Sequence, residues 1–194
     1  MEQWISYLRG RALELFGRRE AAIAAYRAAL AADAGMVDAS NRTAYLLTWL
    51  QRFDEAEPYF QTVLRARPDN AVAHFNFGFN LDKRGQYERA AQSFREATRL
   101  NPKIDRAWYG LGLAHAQLGH HRKAAEALHE AARLQPMNPH AWYQLGMAYH
   151  VLQEPEQFRS VVDHLLRFDP KATRQLIRDA GASELEFLVK DFQP

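Results

Sequence analysis

The feature that most constrains the fold of this chain is an internal repeat of 34 residues, which proline marks most clearly. Pro68, Pro102, Pro136 and Pro170 follow one another at intervals of 34 residues. A fixed period of this length is typical of arrays in which each repeat is one supersecondary unit that buries its apolar face against the next. The period therefore predicts a stacked array with a continuous core.

Other residue types follow the same period and divide each repeat into two helical segments. Gly17, Gly85 and Gly119 stand between apolar-periodic segments, where glycine is typical of a turn. Each unit is therefore predicted to be helix–turn–helix. The residues in phase include the small residues Ala22, Ala56, Ala90 and Ala124, the large residues Tyr26, Phe60, Phe94 and Leu128, and the tryptophans Trp108 and Trp142.

These spaced positions carry a family resemblance. They are Trp142, Leu145, Gly146 and Tyr149 in the stretch WYQLGMAY, with Ala90, Phe94, Ala97 and Pro102 in the third copy. In this spacing the chain resembles the tetratricopeptide-repeat family over residues 1–170. The resemblance implies an all-α fold, a right-handed superhelix (α-solenoid) of five repeats with a C-terminal capping helix. The implied repeats are about 3–36, 37–70, 71–104, 105–138 and 139–172.

Two glycines lie close together in the middle of one predicted helix, RAWYGLGLAHAQLG, where each costs roughly 1 kcal/mol relative to alanine. Gly112 is in phase with Gly78 and Gly146, and we expect it to allow close packing between the two helices of its unit. Gly110 has no such counterpart. We expect it to face a groove and to leave a gap beside Tyr109 for a ligand side chain or the tail.

The C-terminal segment 171–194 is predicted to form a capping helix and a short amphipathic tail. Lys171 to Ala180 reads as a helix that ends at Gly181. Ser183 and Glu186 have the spacing of a capping box, and Leu185, Leu188, Val189 and Phe192 would share one face of the helix that follows. Two interpretations stay open. The tail either covers the last repeat, or it enters an aromatic groove of its own or a neighbouring copy.

Composition and motifs exclude several classes of function. The 25 basic and 23 acidic residues leave a net charge of +2, too small a charge to indicate nucleic-acid binding, and the chain contains no cysteine for disulfides, thiol catalysis or zinc–thiolate sites. There is no phosphate loop, HExxH or GxSxG, and His120–His121 has no third ligand nearby in sequence. We therefore expect no enzyme activity, cofactor or metal. Without a signal peptide or an apolar run of roughly 20 residues, we expect a cytoplasmic protein with no membrane span.

The resemblance also implies where a partner binds, because first helices line the concave side of such arrays. Carried onto this chain, the inward places form a mainly aromatic groove, which suits a peptide or helix of a partner protein. Alternatively, some of these rings only pack between adjacent first helices. The family's carboxylate clamp is a poor match, because Tyr7 and Arg11 stand where its lysine and asparagine would be. The candidate groove residues are Tyr7, Arg11, Asn41, Tyr45, Trp49, Phe75, Asn76, Phe79, Arg106, Tyr109, Leu113, Tyr143 and Met147.

The function predicted from the sequence is a protein-interaction scaffold, or chaperone-like adaptor, of a bacterial cell. The alternative is a self-assembling structural protein whose copies form an oligomer through end-to-end or tail contacts. Nucleic-acid binding is the least favoured interpretation.

Overall fold

The computed structural model describes residues 1–190 and builds them almost entirely from short helices. Within these residues there are eleven α-helices, one C-terminal 3-10 helix and no strand. The elements are α1 Glu2–Leu15, α2 Arg19–Ala32, α3 Val37–Trp49, α4 Phe53–Ala66, α5 Ala71–Lys83, α6 Tyr87–Leu100, α7 Asp105–Gln117, α8 His121–Leu134, α9 Pro139–Val151, α10 Pro155–Leu166, α11 Pro170–Asp179 and the 3-10 helix Ser183–Val189.

A residue in the left-handed conformation closes the first helix of every predicted repeat. Gly17, Gly85 and Gly119 have φ of 70°, 70° and 73°, and Gln51 and Gln153 take the same role at 60° and 57°. These five residues follow one another at intervals of 34 residues. At the first of them, the Arg18 amide donates to the Leu13 carbonyl at 2.9 Å and the Gly17 amide to the Glu14 carbonyl at 3.0 Å, the pattern of a Schellman motif. The predicted turns are present, including the two that lack glycine.

The helices divide into two compact units, Met1–Gln86 and Tyr87 onward, with the boundary between the two helices of the third predicted repeat. In the first unit, each of α1 to α4 packs against the helix that follows it, and α3 also touches α5. Its core is built from large side chains that lie between the helices. Among them are Tyr26, Phe60, Leu46, Leu47 and Leu81, all less than 3% exposed.

The second unit contains helices α6 to α11 and the 3-10 helix. Each of α6 to α9 packs against the next helix, and α11 packs against both α9 and α10. Leu128, Leu145, Leu165 and Leu176 form the centre of its core and are almost fully buried.

Of the paired glycines of α7, Gly112 has the neighbour that the sequence suggests and Gly110 does not. A Cβ on Gly112 would lie 2.5 Å from Cγ of Leu128, so glycine is needed for close packing of α7 on α8, as predicted. The prediction for Gly110 is wrong. A Cβ there would lie 2.6–2.9 Å from three ring atoms of Phe94 on α6, so Gly110 faces the preceding helix and leaves no gap for a ligand.

The recurrent prolines and tryptophans are linked by hydrogen bonds. The indole N–H groups of Trp108 and Trp142 donate to the carbonyls of Pro102 and Pro136, each at 2.9 Å. In the third repeat, Nε2 of His74 lies 2.9 Å from the carbonyl of Pro68. A carbonyl only accepts, so this histidine carries its proton on Nε2. A hydrogen bond from the in-phase aromatic residue therefore links each of these first helices to the loop before it.

The C-terminal elements cover the core of the second unit. The Asp169 carboxylate accepts from the Ala172 amide at 2.8 Å and caps α11, which ends before Gly181 with φ of 65°. The predicted capping box is wrong, because Ser183 begins a 3-10 helix whose N-cap is Ala182 and which has no side-chain cap bond. Leu185 and Val189 are buried against α11, Leu188 packs against the same core, and Phe192 lies outside the described residues.

Candidate functional site

The thirteen candidate groove residues all lie on first helices but are divided between the two units. The first unit carries Tyr7, Arg11, Asn41, Tyr45, Trp49, Phe75, Asn76 and Phe79, and the second carries Arg106, Tyr109, Leu113, Tyr143 and Met147.

Helices α3 and α5 of the first unit contact each other and present three exposed aromatic rings. Tyr45 and Trp49 lie one turn apart on α3 and so share a face, and they are 47% and 53% exposed. Phe79 lies on α5 at the same repeat position as Tyr45 and is 40% exposed. Large aromatic side chains with this much accessible surface are typical of interaction sites. We call Tyr45, Trp49 and Phe79 the aromatic face.

Positively charged groups lie over two rings of the aromatic face. The Arg19 guanidinium carbon lies 3.5 Å from the ring centroid of Trp49, and Nζ of Lys83 lies 5.3 Å from that of Phe79. Both distances are within the range of cation–π attraction. Repeat spacing alone does not identify Arg19, because it begins a second helix. The face therefore offers apolar surface together with cations that can pair with a carboxylate.

An acidic group lies next to Lys83. The carboxylate of Asp82 lies 3.8 Å from Nζ of Lys83. Burial raises the pKa of the Asp82 carboxyl, and the neighbouring ammonium acts in the opposite direction. The pair is separated too far for a short hydrogen bond, so Lys83 keeps donors for a ligand.

The other candidates of the first unit are half-buried. Tyr7 packs against Tyr26 with ring centroids 5.6 Å apart and against Trp4 at 6.0 Å. Its phenol raises the pKa of the adjacent Arg11 guanidinium. These contacts belong to packing around α1. Asn41, Phe75 and Asn76 are likewise partly covered.

In the second unit most of the candidates take part in packing. The Tyr143 hydroxyl donates to the Asp179 carboxylate on α11, and Tyr109, Tyr143 and Met147 pack against the core. The bond to Asp179, with burial, raises the pKa of Tyr143 to about 12. Leu113 is half-buried and Arg106 is exposed. The interpretation that some rings pack between helices therefore describes Tyr109 and Tyr143, whereas the aromatic face stays accessible.

A cavity of about 1330 Å³ in the second unit contains none of the candidate residues. Its floor includes Trp108, Leu111 and His115, which lie three to four residues apart on one face of α7, a spacing that could have identified the floor from the sequence. The rim carries both signs of charge and includes the ion pair between Arg99 and Glu96. This mixture selects for no particular ligand charge.

His115 is the unusual residue of this cavity, because it is 6% exposed and its Nδ1 has no hydrogen-bond partner among the described residues. Burial lowers the pKa of its imidazole, and the positive charges of Arg95, His120 and Lys123 add to the shift. Both effects disfavour the protonated imidazole.

The described part of the chain, residues 1–190, contains no group of three or more His, Asp or Glu placed to hold a metal ion. None of its helices is both long and apolar enough to cross a membrane.

Sequence comparison with protein families agrees with the repeat architecture. A family model described as the middle TPR-like domain of cilia and flagella-associated protein 70 matches residues 49–168, which is more than half of the chain. The chain belongs to the tetratricopeptide-repeat family. A second tetratricopeptide-repeat model matches residues 15–76. No curated protein matches the chain significantly in sequence.

Solved structures show the same tetratricopeptide-repeat fold. YrrB, described as a TPR protein with an unusual peptide-binding site, is 22% identical with a TM-score of 0.81, over 91% of this chain and 90% of that one. MamA is 21% identical with a TM-score of 0.77, over 95% and 96%. PilF of Pseudomonas aeruginosa is 22% identical with a TM-score of 0.70, over 98% and 93%. At these identities the likeness concerns the fold alone.

Proposed function

We propose that this tetratricopeptide-repeat protein is an interaction scaffold that binds a peptide or helix of a partner protein on its aromatic face. The observation that carries the proposal is the exposure of Tyr45, Trp49 and Phe79, which are 40–53% accessible on the contacting helices α3 and α5. The proposed role is binding without catalysis.

The exposed area of the three rings determines how much free energy they can contribute to binding. Full burial of a large apolar side chain contributes roughly 1.5–3 kcal/mol. About half of each ring is still exposed, so covering all three would contribute roughly 2–4 kcal/mol. Micromolar binding requires about 8 kcal/mol. The rings would therefore anchor the partner, and backbone and charged contacts would supply the remainder.

The cations beside the rings indicate the chemistry of the partner. Arg19 and Lys83 lie over Trp49 and Phe79, so a segment that combines apolar side chains with a nearby aspartate or glutamate would satisfy both kinds of group. We therefore propose an acidic, apolar peptide or helix as the bound segment. The likeness to a TPR protein described as having a peptide-binding site supports this class of ligand.

A peptide-display library selected against the chain tests the proposal. We expect the selected peptides to be enriched in apolar and acidic residues and to bind in the micromolar range. For the best synthetic peptide, Trp49→Ala combined with Phe79→Ala should weaken binding by about tenfold or more by calorimetry, since central aromatic anchors each cost about 1–2 kcal/mol or more on truncation.

Phe187→Ala is the matched control, because Phe187 is an aromatic residue with 58% exposure outside the aromatic face. This variant should bind the peptide with unchanged affinity. Far-ultraviolet circular dichroism should show the same helix content in all three proteins. Unchanged affinity in the folded Trp49→Ala, Phe79→Ala variant would refute the proposed site.

A further inference from the structure

Helix α1 exposes a continuous apolar stripe that no part of the described chain covers. At 100° per residue the side chains of the stripe fall within about 120° of the helix circumference. Arg11 borders one edge, and Glu2 and Arg9 border the other. The stripe consists of Met1, Trp4, Ile5, Leu8, Ala12, Leu15 and Phe16, all exposed, with Leu15 at 83% and Phe16 at 82%.

On later first helices, the side of the face that corresponds to Ile5 is a packing surface. The counterparts of Ile5, one period apart, are Ala39, Ala73, Ala107 and Ala141, and none is more than 1% exposed. Alanine at this position lets a neighbouring helix approach closely. Ile5 has a large side chain instead and is 65% exposed. The α1 stripe is therefore better suited to a helix at the ordinary interaxial distance of about 8–10 Å.

We propose that the stripe is the contact of a closed homodimer, in which α1 of one copy packs antiparallel against α1 of a second copy. A two-fold axis pairs a surface with itself, so one apolar stripe is enough to bury both. Leu8 lies near the middle of the stripe, and Trp4 and Leu15 lie on either side of it. With the axis at Leu8, an antiparallel pair would place Trp4 of one copy near Ala12 of the other, and Met1 near Leu15.

The alternative contact between two copies is head-to-tail, and the C-terminal elements do not complement the stripe. The exposed surface of α11 and the 3-10 helix is polar, apart from Phe187. The exposed polar side chains at these C-terminal elements include Lys171, Gln175, Arg178, Asp179, Glu184, Glu186 and Lys190. A head-to-tail contact would place the apolar α1 stripe against these charged side chains. The charges would lose their contact with water, which costs free energy. For the residues that the structure describes, self-pairing of α1 is therefore favoured over an end-to-end array.

The area of the stripe matches a modest but specific dimer. With roughly 200 Å² for each aromatic side chain and roughly 100 Å² for each aliphatic one, the exposed fractions give roughly 600 Å² per copy. A pair would bury about 1200 Å², the lower end of specific interfaces. We therefore expect a dissociation constant on the order of 10 μM.

Sedimentation of the full chain with any affinity tag at the C-terminus tests the dimer between about 1 and 200 μM. The wild type should pass from monomer to dimer and stop there. Leu8→Glu should remain monomeric with unchanged helix content, because Leu8 is already 63% exposed. Val151→Glu, at a side chain with 50% exposure on α9, is the matched control and should dimerise normally.

Cross-linking tests the two-fold geometry separately. The chain has no cysteine, so Leu8→Cys introduces a single thiol near the proposed axis. Under mild oxidation it should form a disulfide between copies, which needs Cβ atoms about 3.5–4.5 Å apart, whereas Val151→Cys should not. A wild type that stays monomeric at all concentrations, growth beyond the dimer, or a dimeric Leu8→Glu variant would each overturn the proposal.

Discussion

Replacing Gln51 with glycine should stabilise the protein, although glycine usually destabilises a chain. Gln51 has φ of 60° and is exposed, and its side chain forms no hydrogen bond in the described structure. Holding a non-glycine residue in the left-handed conformation costs roughly 1–2 kcal/mol. The extra freedom of glycine in the unfolded chain costs roughly 0.4–1 kcal/mol. The difference predicts that Gln51→Gly raises the free energy of unfolding by roughly 0.5–1 kcal/mol.

The reverse substitution in the same unit should have the opposite sign. Gly17 has φ of 70°, and a Cβ there would meet nothing within 4 Å, so Gly17→Ala changes backbone energy without a clash. We expect it to lower the free energy of unfolding by roughly 0.5–1 kcal/mol.

Urea titration followed by circular dichroism measures both changes, with the midpoint moving at constant slope, and the melting temperature should move by about 1–4 °C. Gln92→Gly is the control, since Gln92 is exposed inside α6 and glycine there should cost roughly 0.5–1 kcal/mol. A destabilising Gln51→Gly, or a neutral Gly17→Ala, would refute the reasoning.

Two further substitutions probe the second unit. Gly110→Ala should lower the free energy of unfolding, measured in urea, by roughly 1 kcal/mol. Overpacking against Phe94 costs roughly 1–3 kcal/mol, whereas the higher helix propensity of alanine regains only about 1 kcal/mol. A stabilised variant would contradict the contact. His115→Leu should make stability less dependent on pH. Because the fold lowers the pKa of His115, its contribution is present above the unfolded pKa of about 6.5 and is lost as the pH falls towards 5. Urea midpoints at pH 7 and pH 5 should therefore differ less in the variant, and an unchanged difference would contradict this role.

The repeat period predicts the helix–turn–helix units because it reports on contacts that recur in every copy. Gly112 could be interpreted correctly, since its partner Leu128 lies at a fixed place in the same repeat. Gly110 could not, because the ring that fills its space belongs to Phe94 on the preceding helix. Repeat position defines a side of a helix, but it does not say how far a neighbouring side chain reaches.

Repeat position also does not predict which of the candidate groove residues stay accessible. Tyr143 sits at the same repeat place as other candidates, yet its hydroxyl is bound by Asp179, which lies beyond the repeats. Trp49 stays exposed, and the cation over its ring comes from Arg19 on a second helix. Accessibility therefore depends on residues outside the repeat pattern. The residue type of Gln51 gives no indication of its left-handed conformation. Only its position, one repeat after Gly17 and one before Gly85, indicates it.

Helix register separates the two proposed surfaces of the first unit only in part. Tyr45 and Phe79 occupy a place that stays exposed on α3 and α5, whereas the place of Ile5 is buried in every later copy. The place of Ile5 and the place of Tyr45 are six residues apart in the repeat. Six residues along a helix turn a side chain by about 240°, so these two places lie on different sides of a first helix. Leu15 of the stripe, however, occupies the same repeat place as Trp49 of the aromatic face, so the two surfaces overlap in register there, and only the part of the stripe around Ile5 lies on a different side of the helix.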